Sequence, residues 1–293
     1  MTDAAEATGA GWRLKLSAFS LATAIFVVLW FMIAALGTNW GWWSWQAGLG
    51  QMTLGIGAPM AFFSVALSLL ASIIALYKAP RFQPLVIALI ASLIGWMCLL
   101  RLVGMQTTFQ SLPPIHDIQT DWSDPIQYTE RLLAARKADG NTNPVLDAPT
   151  IEGDRVPEAL VGRLVSEVQE EAETRPAGKG TVYPPMRTLY FDQSPVELAA
   201  LAEKLVKRRG WKIVTQAATE DTGEEIQIEA TAESSWFGFK DDVAIRISPV
   251  EGGCMVDMRS ISRVGLSDLG ANAKRVSGFM NELLDRGDGR IAP

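Results

Sequence analysis

Between Asp241 and Arg275 stand four arginines, Arg246, Arg259, Arg263 and Arg275, with Ser262 and Ser267 among them. Guanidinium forks beside hydroxyls and the free N–H groups of a helix start suit a carboxylate or a phosphate headgroup. The same stretch carries Asp241-Asp242, Asp257 and Asp268. Paired carboxylates can hold a divalent cation or split their pKa values for acid/base work. Adjacent strand residues point to opposite faces, however, so Asp241 and Asp242 cannot both aim at one centre without a bulge. A plainer account pairs Arg246 and Arg259 with Asp257 and Glu229 across neighbouring strands, and leaves Asp268 and Asn272 to organise a turn into a helix. Arg263 and Arg275 then remain as the better anion ligands, because no acidic neighbour in sequence obviously neutralises them. The lone histidine, His116, follows two prolines and is read as a surface or turn residue. No metal set and no cofactor motif appears.

Positioning these groups requires a sheet. Arg187–Phe191, Trp211–Gln216, Glu224–Ala232, Asp242–Ser248 and Cys254–Ser262 read as strands, separated by turn-rich pieces such as Asp221-Thr222-Gly223 and Glu251-Gly252-Gly253. Ser194-Pro195-Val196-Glu197 has capping-box spacing with proline at the first helical position. The helix it opens lines Leu198, Leu201, Ala202 and Leu205 on one face and stops at Gly210. Ser267 or Asp268 can cap a last helix whose apolar face is Ala273, Val276, Met280 and Leu283. The expected fold is α+β, in the order β-α-β4-α, with an antiparallel sheet covered on one face by two helices. Ile226, Ile228, Val243, Ile245, Ile247, Val256 and Met258 alternate for the covered face, which sends Glu229, Arg246, Asp257, Arg259 and Arg263 to the other. Trp236, Phe237 and Phe239 form either an exposed aromatic tip or a plug at the end of the core.

The first third differs in kind. Ser17–Leu36, Leu54–Tyr77 and Phe82–Leu100 contain no charged residue and are each long enough to cross a bilayer; the three spans are placed at about 17–36, 54–77 and 82–104. The first is read as a retained span, not a cleaved leader. Arg13 and Lys15 precede it, and Lys78 and Arg81 lie between the second and third, so the bias of basic residues towards the cytoplasm puts the N-terminus inside and residues 105–293 outside. Trp40, Trp42, Trp43 and Trp45 suit a headgroup layer. Ser64, Ser68 and Ser72, with Ala88, Ala91, Ser92 and Gly95, read as close helix packing; Arg101 is the one charge near a span end, close enough to snorkel to the interface, and without ionisable groups inside the uncharged runs a transporter is disfavoured.

Residues 105–186 are polar and proline-dotted, with N-T-N-P at Asn141–Pro144, and are read as a connector that partly packs on the α+β domain after it. Helical pieces are expected at Pro125–Lys137 and Pro157–Glu173, with Glu167, Glu170, Glu171 and Glu173 on a solvated face. The chain totals 26 basic and 32 acidic residues; residues 1–104 hold 5 and 2, leaving 21 against 30, a net of −9, for the remainder. Such a unit repels phosphate backbones, so nucleic acid is not an expected partner. Cys98 and Cys254 lack redox or metal spacing, and no disulfide is expected.

Gly238-Phe239, Asp241-Asp242, Arg246, Val256-Asp257, Arg259-Ser260, Ser262-Arg263-Val264-Gly265, Ser267-Asp268, Gly270, Asn272 and Arg275 together resemble the bacterial and plastid domain-of-unknown-function family numbered 1499. The resemblance covers about Leu112 to Leu284, with Val161–Lys179 as added sequence, and it implies a domain behind a short membrane region but no activity and no catalytic residue. The expectation is therefore a multi-pass protein of the bacterial inner membrane. Its periplasmic domain would bind an envelope protein or an anionic small molecule without catalysis. The alternative is an envelope hydrolase using Asp241, Asp257 or Asp268, and a third reading is a purely structural part of a larger assembly.

Overall fold

The computed structural model describes residues 2–77, 79–140, 142–154, 156–217, 220 and 222–291, with side chains from residue 11 onward. The expectations placed on Lys78, Asn141 and Asp221 lie outside the described residues. Two compact units result, the first comprising residues up to Thr107 with Ser235–Gly238, the second Thr108–Ser234 and Phe239 onward.

Among the described residues of the first unit three helices, Gly11–Asn39, Gln46–Tyr77 and Phe82–Ser111, are long and apolar enough to cross a membrane. They are α1 (Thr2–Asn39), a wider-wound stretch Gln46–Gly57 that runs into α2 (Ala58–Tyr77), and α3 (Phe82–Ser111). Arg101 lies inside α3, which continues ten residues further to Ser111. Ser64, Ser68 and Ser72 of α2 and Ala88, Ala91, Ser92 and Gly95 of α3 are buried. Gly95 lies so close to α2 that an added Cβ would stand 3.1 Å from Val65 Cγ2. Backbones approach closely there because the side chains are small. Ser68 and Ser72 return their hydroxyl protons to their own helix, at Val65 and Ser68 carbonyls. Trp43 is tied down by its indole N–H to Ala34 O and Thr38 Oγ1, while Trp40 and Trp42 stay exposed.

The second unit begins with a short strand, β1 (Asp117–Gln119). α4 (Glu130–Ala138) starts five residues after Pro125 because Thr129, in extended conformation, caps it through Leu132 N–H. α5 (Val165–Thr174) also starts late: Gly162 at φ +78° interrupts the chain after a single turn at Glu158–Leu160. Glu167, Glu170 and Glu171 are exposed as expected of a solvated face, but Glu173 is buried and accepts from Gln169 Nε2, Met186 N and Arg187. A hairpin of β2 (Pro176–Ala177) and β3 (Gly180–Thr181) follows.

β4 (Leu189–Phe191) leads into α6 (Pro195–Arg208), whose capping box between Ser194 and Glu197 is complete in both directions. Then come β5 (Lys212–Thr215), β6 (Ile226–Glu233), β7 (Lys240–Val250), β8 (Gly253–Ser262), α7 (Ala271–Gly287) and β9 (Arg290–Ile291). The antiparallel sheet runs β5-β6-β7-β8-β4-β9, with β1 also on β8. β4 pairs with Cys254–Val256 and β1 with Arg259–Ile261, so two short strands lie end to end along one edge of β8. At the β7–β8 turn, Gly253 has Phe191 O only 2.0 Å from where a Cβ would sit, and no other residue fits. The β6–β7 loop leaves Trp236 57 % exposed with Phe237 and Phe239 half-buried.

The register places Ile226 opposite Ile247, Ile228 opposite Ile245 and Ile247 opposite Val256, on the face that α6 and α7 cover with Leu198, Ala202, Leu205, Val276, Phe279 and Leu283. The opposite face is covered too. Ile126, Tyr128 and Leu132, from the stretch read as a connector, pack on Ala244 and Ile261. Residues 105–186 thus supply a strand of the main sheet and a layer over its second face.

Candidate functional site

Period-two alternation sends Asp242, Arg246, Asp257, Arg259 and Arg263 to the face beneath residues 120–147, and there each charge meets an opposite one. Arg259 is the largest side chain with essentially no exposure. It clasps Asp117 with two bonds, Nε to Oδ1 at 3.1 Å and Nη2 to Oδ2 at 2.6 Å, and donates to the carbonyls of Ile126 and Leu146 at 2.8 and 2.6 Å. The rings of Trp122 and Tyr128 flank it at 5.6 and 5.8 Å. Burial would lower the pKa of Arg259, but the Asp117 carboxylate outweighs it and the guanidinium is held above its ordinary value.

Arg263 forks onto Asp242 at 2.9 and 2.7 Å and reaches Asp139 with its third nitrogen at 2.6 Å. Asp242, fully buried, also takes Arg136 of α4 at 2.6 Å and the Thr231 hydroxyl at 2.7 Å. Burial pushes Asp139 up, but hydrogen bonds from Lys240 and Arg263 prevail and keep it below its usual range. Arg246 bonds Asp257 at 3.3 Å and Asp124 at 2.9 Å. Asp257 sits where β1 and β4 meet along β8, and it accepts from Thr120 at 2.7 Å and Thr188 at 2.6 Å, one residue beyond each strand. Glu229 receives the Thr129 backbone N–H and the hydroxyls of Thr129 and Thr215.

A second polar lattice occupies the helix-covered face at the start of α7. Asp241 stands opposite Ser262 in the register and pairs with Arg275 at 2.5 Å. Arg275 also reaches Ser260 Oγ at 3.0 Å and Asn272 Oδ1. Asn272, fully buried, accepts from Ser260 at 2.7 Å and donates to Ser262 Oγ and to His116 O, both at 2.9 Å. Asp268 caps the helix from two residues upstream of the Gly270 N-cap position, accepting from Gly270 N at 2.8 Å and Asn272 N at 2.7 Å. Burial raises its pKa to about 6 against the pull of those two donors. Ser267 accepts from Leu269 N at 3.2 Å. His116 holds Nδ1 3.4 Å from Leu266 O, and burial lowers its pKa.

The six residues read as one anion pocket are therefore divided by the sheet. Arg246, Arg259 and Arg263 lie on one side of it, Ser262 and Arg275 on the other, and Ser267 in the turn before α7. Arg263 and Arg275, read as un-neutralised, meet Asp242, Asp139 and Asp241. Asp241 and Asp242 do point to opposite faces. Among the described residues no group of three His, Cys, Asp or Glu side chains gathers as a metal ion would need. Asp117, Asp139 and Arg136 carry no role in the sequence reading. The signal that could have found Arg136 is its place four residues after Leu132 on the buried stripe of α4.

A family model described as Protein of unknown function (DUF1499) matches residues 117–283, from the first residue of β1 to Leu283 in α7. The chain belongs to the DUF1499 family. No curated protein matches it. The matched DUF1499 region contains both partners of the Arg259–Asp117 pair and all three of the Arg136–Asp242–Arg263 group. The covering segment 120–147 falls within the matched region.

Proposed function

We propose that this membrane-associated DUF1499 protein is a binding module of the bacterial envelope and not an enzyme. Its three spans hold it in the inner membrane, and its domain, including the stretch 105–186, works outside the cytoplasm on a partner protein or an anionic small molecule. The observation that supports the non-catalytic reading is internal pairing: the arginines and most of the carboxylates between Asp241 and Arg275 are engaged within the domain. A nucleophile or general base needs an accessible lone pair within reach of a substrate proton. Arg13, Lys15 and Arg81 support the orientation.

Two measurements test this. Membranes cross-linked before solubilisation should release the protein with a reproducible companion or a bound anion; recovery of the chain with neither argues against a binding module. A reporter domain fused after Ile291 should report from outside the cytosol, and activity confined to the cytosol overturns the orientation.

The hydrolase alternative draws on one observation, the carboxyl of Asp268 with its pKa near 6 and Asp241 close enough to raise it further. It predicts that Asp268→Asn and Asp241→Asn abolish turnover of an ester or amide substrate without lowering the amount of folded protein. Equal activity in both variants removes it.

A further inference from the structure

Outside the two lattices, cationic side chains concentrate around the C-terminal end of α6. Lys204, Lys207, Arg208 and Arg209 close α6 and Lys212 opens β5; Lys207 pairs with Glu203, and Arg208 and Arg209 reach Glu282 of α7, which Arg286 in the last turn of that helix also bonds. Three guanidiniums converge on the single carboxylate of Glu282: Arg208 Nη2, Arg209 Nη1 and Arg286 Nε, the last at 3.0 Å. One negative charge cannot balance three positive ones.

Arg209 is fixed in place. Its Nη2 donates to Gly278 O at 2.8 Å, and its guanidinium carbon lies 5.6 and 5.1 Å from the rings of Trp211 and Phe279, which stack on each other at 5.7 Å. Burial first, and then the charge of Arg208, holds its pKa below the ordinary arginine value. Arg208 and Arg286, by contrast, are half exposed, with side-chain exposures of 50 and 49 %. Planar forks on a rigid base, open to solvent and carrying surplus charge, match a tetrahedral oxyanion better than a carboxylate they already hold.

We infer that the arginine cluster around Glu282, where the C-terminus of α6 lies against the second half of α7, binds a phosphate group, borne either by a small soluble ester or by a lipid headgroup. This rests on the reading of the domain as a binding module, and it names the ligand chemistry and the residues: Arg208 and Arg286 as the forks, Arg209 as the anchored centre, and Glu282 as the placeholder the phosphate displaces or shares.

The full-length protein in phosphatidylcholine nanodiscs, titrated calorimetrically with inorganic phosphate and with glycerol 3-phosphate, tests the site. Saturable binding is expected, weakened about tenfold or more in the Arg208→Ala/Arg286→Ala protein, where Arg209 still holds Glu282. Glu282→Gln removes the competing negative charge without touching an arginine, and it should tighten binding several-fold, a gain that misfolding cannot produce. Nanodiscs containing phosphatidylglycerol separate the sources: a headgroup site loses apparent phosphate affinity there by competition, a soluble-ester site does not. No saturation in the wild type, or binding indifferent to both variants, overturns the inference. Retention of a co-purifying protein partner in that case would leave the binding-module reading standing.

Discussion

Beneath α6 and α7 the sheet presents Ile226, Ile228, Val243, Ile245, Ile247, Val256 and Met258; on its other side it presents Glu229, Asp242, Arg246, Asp257, Arg259 and Arg263. Both sides are covered, yet by segments of different composition. α6 and α7 carry apolar stripes of four or more residues and bury them by non-directional attraction. Residues 120–147 offer Ile126, Tyr128 and Leu132 and little else, and they are held by charge pairs and by arginine bonds to their carbonyls. Such contacts are directional, so the second face specifies where its cover lies more strictly than the first. The cost is sensitivity: a buried pair that loses one member leaves a charge with no partner and no water.

Asp242→Ala is the sharpest way to break the charged side. It strands Arg136 and Arg263 together, and a loss of about 3–5 kcal/mol is expected in denaturant unfolding of the full chain. A loss below about 1 kcal/mol would mean that solvent reaches the pair and that the two sides do not differ in this way. On the apolar side, Ile245→Ala should cost about 2–5 kcal/mol, with no dependence on salt or pH. Asn272→Ala, at the polar corner of that same side, should cost about 1–3 kcal/mol by leaving buried donors and acceptors without partners.

Acidity separates the sides without any large loss. Asp268 is raised from 3.8 to about 6 on folding, so the folded state binds the proton more tightly, and its contribution falls as pH rises through that window. Asp139, on the other side, is lowered from 3.8, so its contribution is present at neutral pH and is lost as pH falls through and below 3.8. Asp268→Asn should flatten the first slope and Asp139→Asn the second, as read by unfolding midpoints from pH 3 to pH 7; equal slopes in all three proteins would contradict the assignment. The exposed Arg163–Glu171 pair belongs to neither side, and Arg163→Ala should leave the midpoint unchanged within error.

Much of this is legible from residue patterns. Alternation along β6, β7 and β8 assigns every residue to its face, and Ser194-Pro195-Val196-Glu197 locates the start of α6 to the residue. What alternation cannot supply is the cover of the second face. The partner of Arg259 lies 142 residues away, at Asp117, and Arg136 is 106 residues from Asp242. Low apolar content makes residues 105–186 read as a connector, because a layer held by ion pairs leaves no hydrophobic period to detect. The two late helix starts have a local cause, Thr129 and Gly162, where proline alone would place each start earlier.

The edge shared by β1 and β4 has a consequence for how this chain is made. Asp117 must find Ile261, and 144 residues separate them. At about 5–20 residues per second, synthesis leaves β1 waiting roughly 7 to 30 seconds for its mate while the apolar helices before it have already emerged. Membrane insertion therefore precedes closure of the domain, and a chain truncated before β8 should leave both short strands unpaired and be cleared by proteases.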